Sequence, residues 1–164
     1  MKEIVAQPLT PEDFAPFGDV IERGADPISI NAGMCERHHD LARLDIQGGA
    51  TGISLFDAEP RALPYEFNLV ERHPLGSQAF LPMTMAPFLV IVAEDKDGTP
   101  APPKAFLTQP GQGVNFYRNT WHGVLTPLES PDGTPGLFAV VDRIGDGANL
   151  EEYRFLESFK VVQF

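Results

Sequence analysis

Four histidines, at positions 38, 39, 73 and 122, are the scarce groups in this sequence able to exchange a proton near neutrality. Two of them sit in segments with further chemistry. In Glu71-Arg72-His73-Pro74-Leu75-Gly76-Ser77-Gln78-Ala79-Phe80, Glu71 and His73 are two residues apart and share one face if the segment is a strand. A carboxylate and an imidazole on one face can ligate a cation or form an acid/base pair, and Gln78, beyond a Pro/Gly turn, can return an amide oxygen to the same space. In Gly113-Val114-Asn115-Phe116-Tyr117-Arg118-Asn119-Thr120-Trp121-His122, a tight Arg-Asn-Thr connection leads into a strand carrying His122. The plainer readings are a polar hairpin end for the first segment and a structural histidine bonded to a backbone carbonyl for the second.

Arginine is the natural clamp for a carboxylate, since its planar fork matches the two oxygens. Arg72 and Arg118 lie within the two segments, and Arg37 and Arg143 lie outside them. Strand alternation places Arg72 on the face opposite Glu71 and His73, which favours Arg118 or Arg37. Salt bridging to the abundant carboxylates is the alternative for each. Asn119 is a further candidate substrate contact, as is one of the adjacent pair His38-His39, which point to opposite sides of an extended chain. Asn31 can fix a polar group, whereas Met34 and Cys35 read as packing. The sequence has no Gly-x-Ser-x-Gly signal, and its single cysteine lacks an evident base partner, so no covalent nucleophile is expected.

These groups need short strands to position them. Sixteen prolines and fifteen glycines, scattered along 164 residues, cut the chain into short apolar runs. Strands are expected at 18–21, 52–58, 61–72, 78–82, 88–93, 104–107, 113–117, 122–125, 137–143 and 153–162, with antiparallel pairing. Turn signals lie at 95–98, 110–113 and 130–133. Thr10 before Pro11, followed by Glu12 and Asp13, reads as the cap of a short helix to about Ala15. Val161-Val162 in the last strand resembles an exposed edge able to pair across a two-fold axis. The whole, 1–164, reads as one mainly β domain.

Bulk properties narrow the function. Twelve Lys and Arg against 23 Asp and Glu give a formal charge of −11, which repels nucleic acid and anionic lipid. The apolar run 87–93 is far shorter than the roughly 20 residues of a membrane-spanning helix. The N-terminus does not resemble a secretory signal, and Cys35 has no partner for an intramolecular disulfide, so a cytoplasmic location is expected.

Glu71-x-His73, then Gln78, then His122 has the layout of the two motifs of cupin barrels, with Glu71 in the place of a histidine and Gln78 in the place of a glutamate. The phrases ERHPLGSQAFLPM and GVNFYRNTWH, with INAGMCERHHDLA upstream and VVDR downstream, resemble the ureidoglycolate lyase family of allantoin degradation over nearly the whole chain. The resemblance implies a cupin-type double-stranded β-helix, or jelly-roll barrel, and a homodimer. It also implies cleavage of ureidoglycolate into glyoxylate and urea. His73, His122, Glu71 and Gln78 are then the catalytic group, with Arg118, Arg72, Arg37, His39 and Asn119 on the substrate. His39 is chosen because the resemblance includes the His-Asp pair. A divalent metal, nickel or zinc, held by His73, His122, Glu71 and Gln78 is one expectation, and a metal-free acid/base site is the other. Rival readings are an amidohydrolase releasing ammonia, another metal-cupin enzyme acting on a small oxyacid, and a non-catalytic sensor of a small acid.

Overall fold

The computed structural model describes residues 1–130 and 133–163. The turn signal at 130–133 therefore falls partly outside the described residues, as does Phe164. Lys2–Val5 (β1) and Gln7–Pro8 (β2) precede a one-turn helix, Pro11–Phe14 (α1), and Gly18–Ile21 (β3). Ile28–Ile30 (β4) and Cys35–Arg37 (β5) form a two-stranded ribbon. The long strands Ala50–Ala58 (β6) and Tyr65–Arg72 (β7) are followed by Gln78–Pro82 (β8) and Phe88–Ala93 (β9). A small hairpin, Asp95–Lys96 (β10) and Thr99–Pro100 (β11), leads to Lys104–Leu107 (β12) and Gly113–Phe116 (β13). Trp121–His122 (β14), Thr126–Pro127 (β15), Gly136–Ile144 (β16) and Glu151–Val162 (β17) complete the chain.

Helix α1 forms as its sequence demands. Pro11 supplies a preset φ at the first helical position, and the Thr10 hydroxyl accepts the Asp13 N–H at 3.2 Å. Phe14 is fully buried beneath it.

The strands make two sheets. The larger runs β1-β17-β7-β14-β9-β12-β2, with β15 also on β9, and the smaller runs β3-β13-β8-β16-β6. Strands β1 and β2, separated by Ala6 alone, pair in parallel with β17 and β12 near opposite edges of the larger sheet and so nearly close it into a barrel. The smaller sheet packs on one face of the larger. Phe80, Val114, Phe116, Phe138 and Val140 from the smaller meet Phe88, Val90, Val92 and Phe106 from the larger, with Phe14 and Phe17 at one end. Leu89, Ile91, Ala93, Trp121, Phe67 and Val161 fill a second core on the opposite face. This two-sided burial explains why β9 is apolar at every position. Each fully buried phenylalanine contributes about 1.5–3 kcal/mol of transfer free energy. The architecture is all-β and of cupin type.

Four strand expectations are corrected. The expected strand at 61–72 starts only at Tyr65, because Pro64 brings no N–H to a ladder, while Arg61 makes an isolated bridge to Leu128. The expected strand at 122–125 ends at His122, after which Gly123 donates to the Ile91 carbonyl and regular pairing resumes at Thr126. The strand expected to reach Tyr117 stops at Phe116, where Tyr117 N–H turns to the Phe17 carbonyl. Val161-Val162 is no free edge: β1 pairs alongside it, and Val161 is fully buried. Met34 and Cys35, read as packing residues, are exposed.

Candidate active site

Strands β7 and β14 pair with Glu71 directly opposite His122, so the two side chains share a face. His73 follows immediately after β7. Its Nδ1 donates to the Asn149 carbonyl at 2.7 Å, and its own carbonyl accepts the Asn119 N–H at 3.1 Å. Asn119 adopts φ 66°, the left-handed conformation that asparagine tolerates, which lets the 117–120 connection turn tightly back. Asn149 thus fixes the loop twice, since its side-chain oxygen also takes the Leu75 N–H at 2.7 Å.

His122 is 2% exposed and lies flat on Phe116, with ring centroids 4.3 Å apart and planes 6° from parallel. Its Nδ1 is hydrogen-bonded to the Gly123 carbonyl at 2.9 Å. A carbonyl accepts only, so each imidazole carries a proton on Nδ1, and in the neutral ring the lone pair is left on Nε2. The His73 and His122 rings are 5.2 Å apart, and Glu71 Oε1 lies 3.8 Å from His73 Nε2. One potential ligand atom from each of Glu71, His73 and His122 falls within 4.8 Å of the others.

Gln78 stands opposite Phe116 in the β8–β13 ladder, on the inward face with Phe80. Its Nε2 donates to Asp142 Oδ2 at 3.0 Å. Its Oε1, like Nε2 of His73 and Nε2 of His122, is buried with no hydrogen-bond partner. Unpaired buried polar atoms are rare and costly, so two such imidazole nitrogens beside the Glu71 carboxylate, with a third acceptor on Gln78 next to the Phe116 on which His122 stacks, require an explanation. The donor set suits a divalent ion of borderline softness, and equally a ligand rich in N–H and O–H.

Burial sets the electrostatics. Desolvation is the main force holding the His122 pKa down to about 3, with the neighbouring His73 adding to it and the Gly123 carbonyl opposing. His122 is therefore neutral at physiological pH. Desolvation also raises the Glu71 pKa, His73 opposing and Glu152 reinforcing.

The other candidate residues lie elsewhere. Arg72 sits on the opposite face, as alternation requires, with its guanidinium 4.3 Å from the Trp121 ring centre and ion pairs to Asp95 and Glu151. Arg118 bonds Asp45 at 3.0 Å and the Pro74 carbonyl at 3.1 Å, which places it beside the His73 loop. Arg37 and Asn31 are exposed on the β4–β5 ribbon and its tip, and His39 is exposed. His38, the half-buried member of the pair, accepts the Gly24 N–H at 3.0 Å. Arg143 caps backbone carbonyls of Gln47, Gly48 and Asp146. Asp142 and Asn149 escaped the sequence reading. Asp142 lay in the VVDR phrase, whereas nothing in sequence spacing marks Asn149.

The sequence pattern of the family described as ureidoglycolate lyase matches residues 1–162. A ureidoglycolate lyase of Rhodobacter capsulatus is 63% identical over 155 residues, covering 93% of this chain and 94% of that protein. Ureidoglycolate lyases of Chelativorans sp. and Mesorhizobium japonicum are each 51% identical over 164 residues, covering 98% of this chain and 97% and 98% of theirs. Matches of this extent, over a fold that gathers Glu71, His73 and His122, show that the chain belongs to the ureidoglycolate lyase family.

Proposed function

We propose that this protein cleaves ureidoglycolate into glyoxylate and urea by acid/base lysis at Glu71, His73, Gln78 and His122. The observation that carries the reading is the pair of buried, unpartnered nitrogens on His73 and His122 beside a carboxylate of raised pKa, with the unpartnered Gln78 oxygen next to Phe116. Ureidoglycolate offers what such a site lacks, namely the N–H groups of its ureido end and a hydroxyl.

The reaction converts a carbinol to an aldehyde. The hydroxyl loses its proton, a carbonyl forms, and the C–N bond breaks with its electron pair passing to nitrogen, which takes up a proton to complete urea. Glu71 is placed to take the first proton and return it to the leaving nitrogen, because its raised pKa brings it toward the working pH. His122 cannot readily hold a proton, so it acts as a fixed acceptor that orients the substrate. His73 and Gln78 complete the acceptor set. Arg118, beside the His73 loop, holds the substrate carboxylate.

A divalent ion, nickel or zinc, would be held by His73 and His122 through Nε2 with Glu71 and Gln78, and when bound it supplies Lewis-acid polarisation of substrate oxygens. Incubation of the protein with ureidoglycolate, assaying urea, glyoxylate and ammonia with and without a chelator, tests both parts. Equal urea and glyoxylate without ammonia is expected, and ammonia in place of urea overturns the reading.

The reading extends to a cytoplasmic homodimer. Strand β6 ends the smaller sheet and exposes Ile53 and Leu55, 76% and 65% accessible, which supports pairing with a second copy there. Sedimentation of the protein, compared with Ile53→Lys, checks this, and an unchanged mass for a monomeric wild type overturns it.

A further inference from the structure

Strands β8 and β16 pair with Phe80 opposite Val140 and Ala79 opposite Val141, which brings Gln78 and Asp142 together one step further along the ladder. Both follow the inward face that Phe80 and Val140 share within the core. There Gln78 Nε2 donates to Asp142 Oδ2 at 3.0 Å. We propose that Asp142 is a positioning residue of the active site, fixing the Gln78 amide so that it offers the site its carbonyl oxygen and never its NH2. The inference rests on the ligand set given under the proposed function and deepens it.

A primary amide is nearly symmetric in shape but opposite in chemistry at its two ends, with two donors on nitrogen and an acceptor on oxygen. A half-turn about its last bond exchanges them. Gln78 neighbours Phe116, on which His122 is stacked, so in the turned form its NH2 would point toward the unpaired Nε2 lone pairs of the histidines, which favour that form. A carboxylate, which only accepts, forbids that turn, because it would set oxygen against oxygen in a poorly solvated place. Asp142 therefore keeps the site made of acceptors alone. The physical outcome is selectivity: such a site takes a divalent cation or a donor-rich ureido group and rejects ligands that present only oxygen lone pairs.

The role separates from a merely structural hydrogen bond in a set of variants. Asp142→Asn removes the prohibition, since asparagine can donate as well as accept, and the Gln78 amide becomes free to turn. Gln78→Glu sets two carboxylates against each other. The double variant Gln78→Glu with Asp142→Asn restores one orientation, the asparagine NH2 donating to one glutamate oxygen and leaving the other for the site. In a Gln78→Ala background, Asp142 has no amide left to hold.

Asp142→Asn is expected to lower kcat/KM for ureidoglycolate about 10–100-fold, as removal of the partner of a ligating group commonly does. The double variant should recover most of that loss, and Asp142→Asn in the Gln78→Ala background should change kcat/KM less than about twofold. Imidazole nitrogen NMR provides a readout independent of turnover. In Asp142→Asn the unprotonated Nε2 signal of one histidine should move in the direction of an accepted hydrogen bond, and in the double variant it should not. Unchanged nitrogen signals and activity in Asp142→Asn overturn the proposal. So does a double variant no better than the worse single one, provided circular dichroism shows both folded. If Asp142→Asn alone does not fold, the double variant is compared with Gln78→Glu, and absence of rescue has the same meaning. A wild type that makes no urea, while its nitrogen signals still respond to Asp142→Asn, defeats the functional reading and leaves the positioning role standing.

Discussion

Two polar regions of this molecule invite a ligand, and they differ in what their polar atoms already have. A cleft of about 640 Å³ on the outer side of the smaller sheet is lined by Asp19, Asp40, Arg43, Asp45, Tyr117 and Arg118. It is roomy, charged and largely self-satisfied. Asp19 takes the Tyr117 hydroxyl, the Arg43 N–H and the Asn115 amide, while Asp45 is paired with Arg118 and Gln47 and kept below the usual carboxylate range by those bonds. Asn115 Oδ1 is the exception. Neither Glu71, His73 nor His122 lines the cleft. In their site Nε2 of His73 and of His122 is unmet, as is Oε1 of Gln78 beside Phe116. Hydrogen-bonding capacity left open at a cost in stability, rather than volume, is what singles out the candidate site.

Replacing Glu71 by glutamine breaks the comparison most sharply. It keeps the shape and removes the proton carrier, so kcat/KM should fall about 10²–10⁴-fold with the fold intact, as steady-state kinetics and circular dichroism would record. His122→Ala should cost about 10²–10³-fold, because a preorganised acceptor is lost along with its stacking on Phe116. Near-normal turnover in that variant removes His122 from the mechanism. Arg118→Ala touches the boundary between the two regions, and it should raise KM about tenfold or more while leaving kcat nearly unchanged. An unchanged KM moves the carboxylate clamp elsewhere.

The pH dependence of stability sharpens the contrast further. The His122 pKa is depressed from 6.5 to about 3, so the unfolded chain binds more protons between those values. Stability should therefore fall as pH drops through that window, by on the order of several kcal/mol. The raised Glu71 pKa acts with the opposite sign: the folded chain holds its proton longer, and stability falls as pH rises from 4.5 through the folded value. Urea denaturation of the wild type and His122→Ala at several pH values should show the acid-side slope reduced in the variant. An equal slope in both assigns the acid sensitivity to other groups. The smallest effect is expected from Tyr117→Phe in the cleft. Loss of one exposed hydroxyl bond to Asp19 should change stability by about 1 kcal/mol or less and leave kcat/KM within about twofold. A large change in KM there makes the cleft part of the substrate site.

The sequence by itself determined the class of fold and the two segments that carry the candidate site. Strands at 78–82, 88–93 and 104–107 are bounded as their apolar runs and turn residues imply, and Thr10-Pro11 starts the helix where capping chemistry requires it. These features are local, written in periodicity and in residues with restricted backbones. Glu71 and His73 were legible as a pair for the same reason, since two residues of spacing suffice to place them on one face.

Only the tertiary structure decided the rest. That Glu71 faces His122 depends on the register of two strands about 50 residues apart, and the proton positions on both imidazoles depend on carbonyls of Asn149 and Gly123. Asp142 meets Gln78 across a ladder joining residues 64 positions apart. The closing of the larger sheet by β1 and β2, which pairs the expected open edge and buries Val161, is equally non-local. A sequence states which groups can donate or accept. Which of them are left unmet is settled only when every element has found its partner.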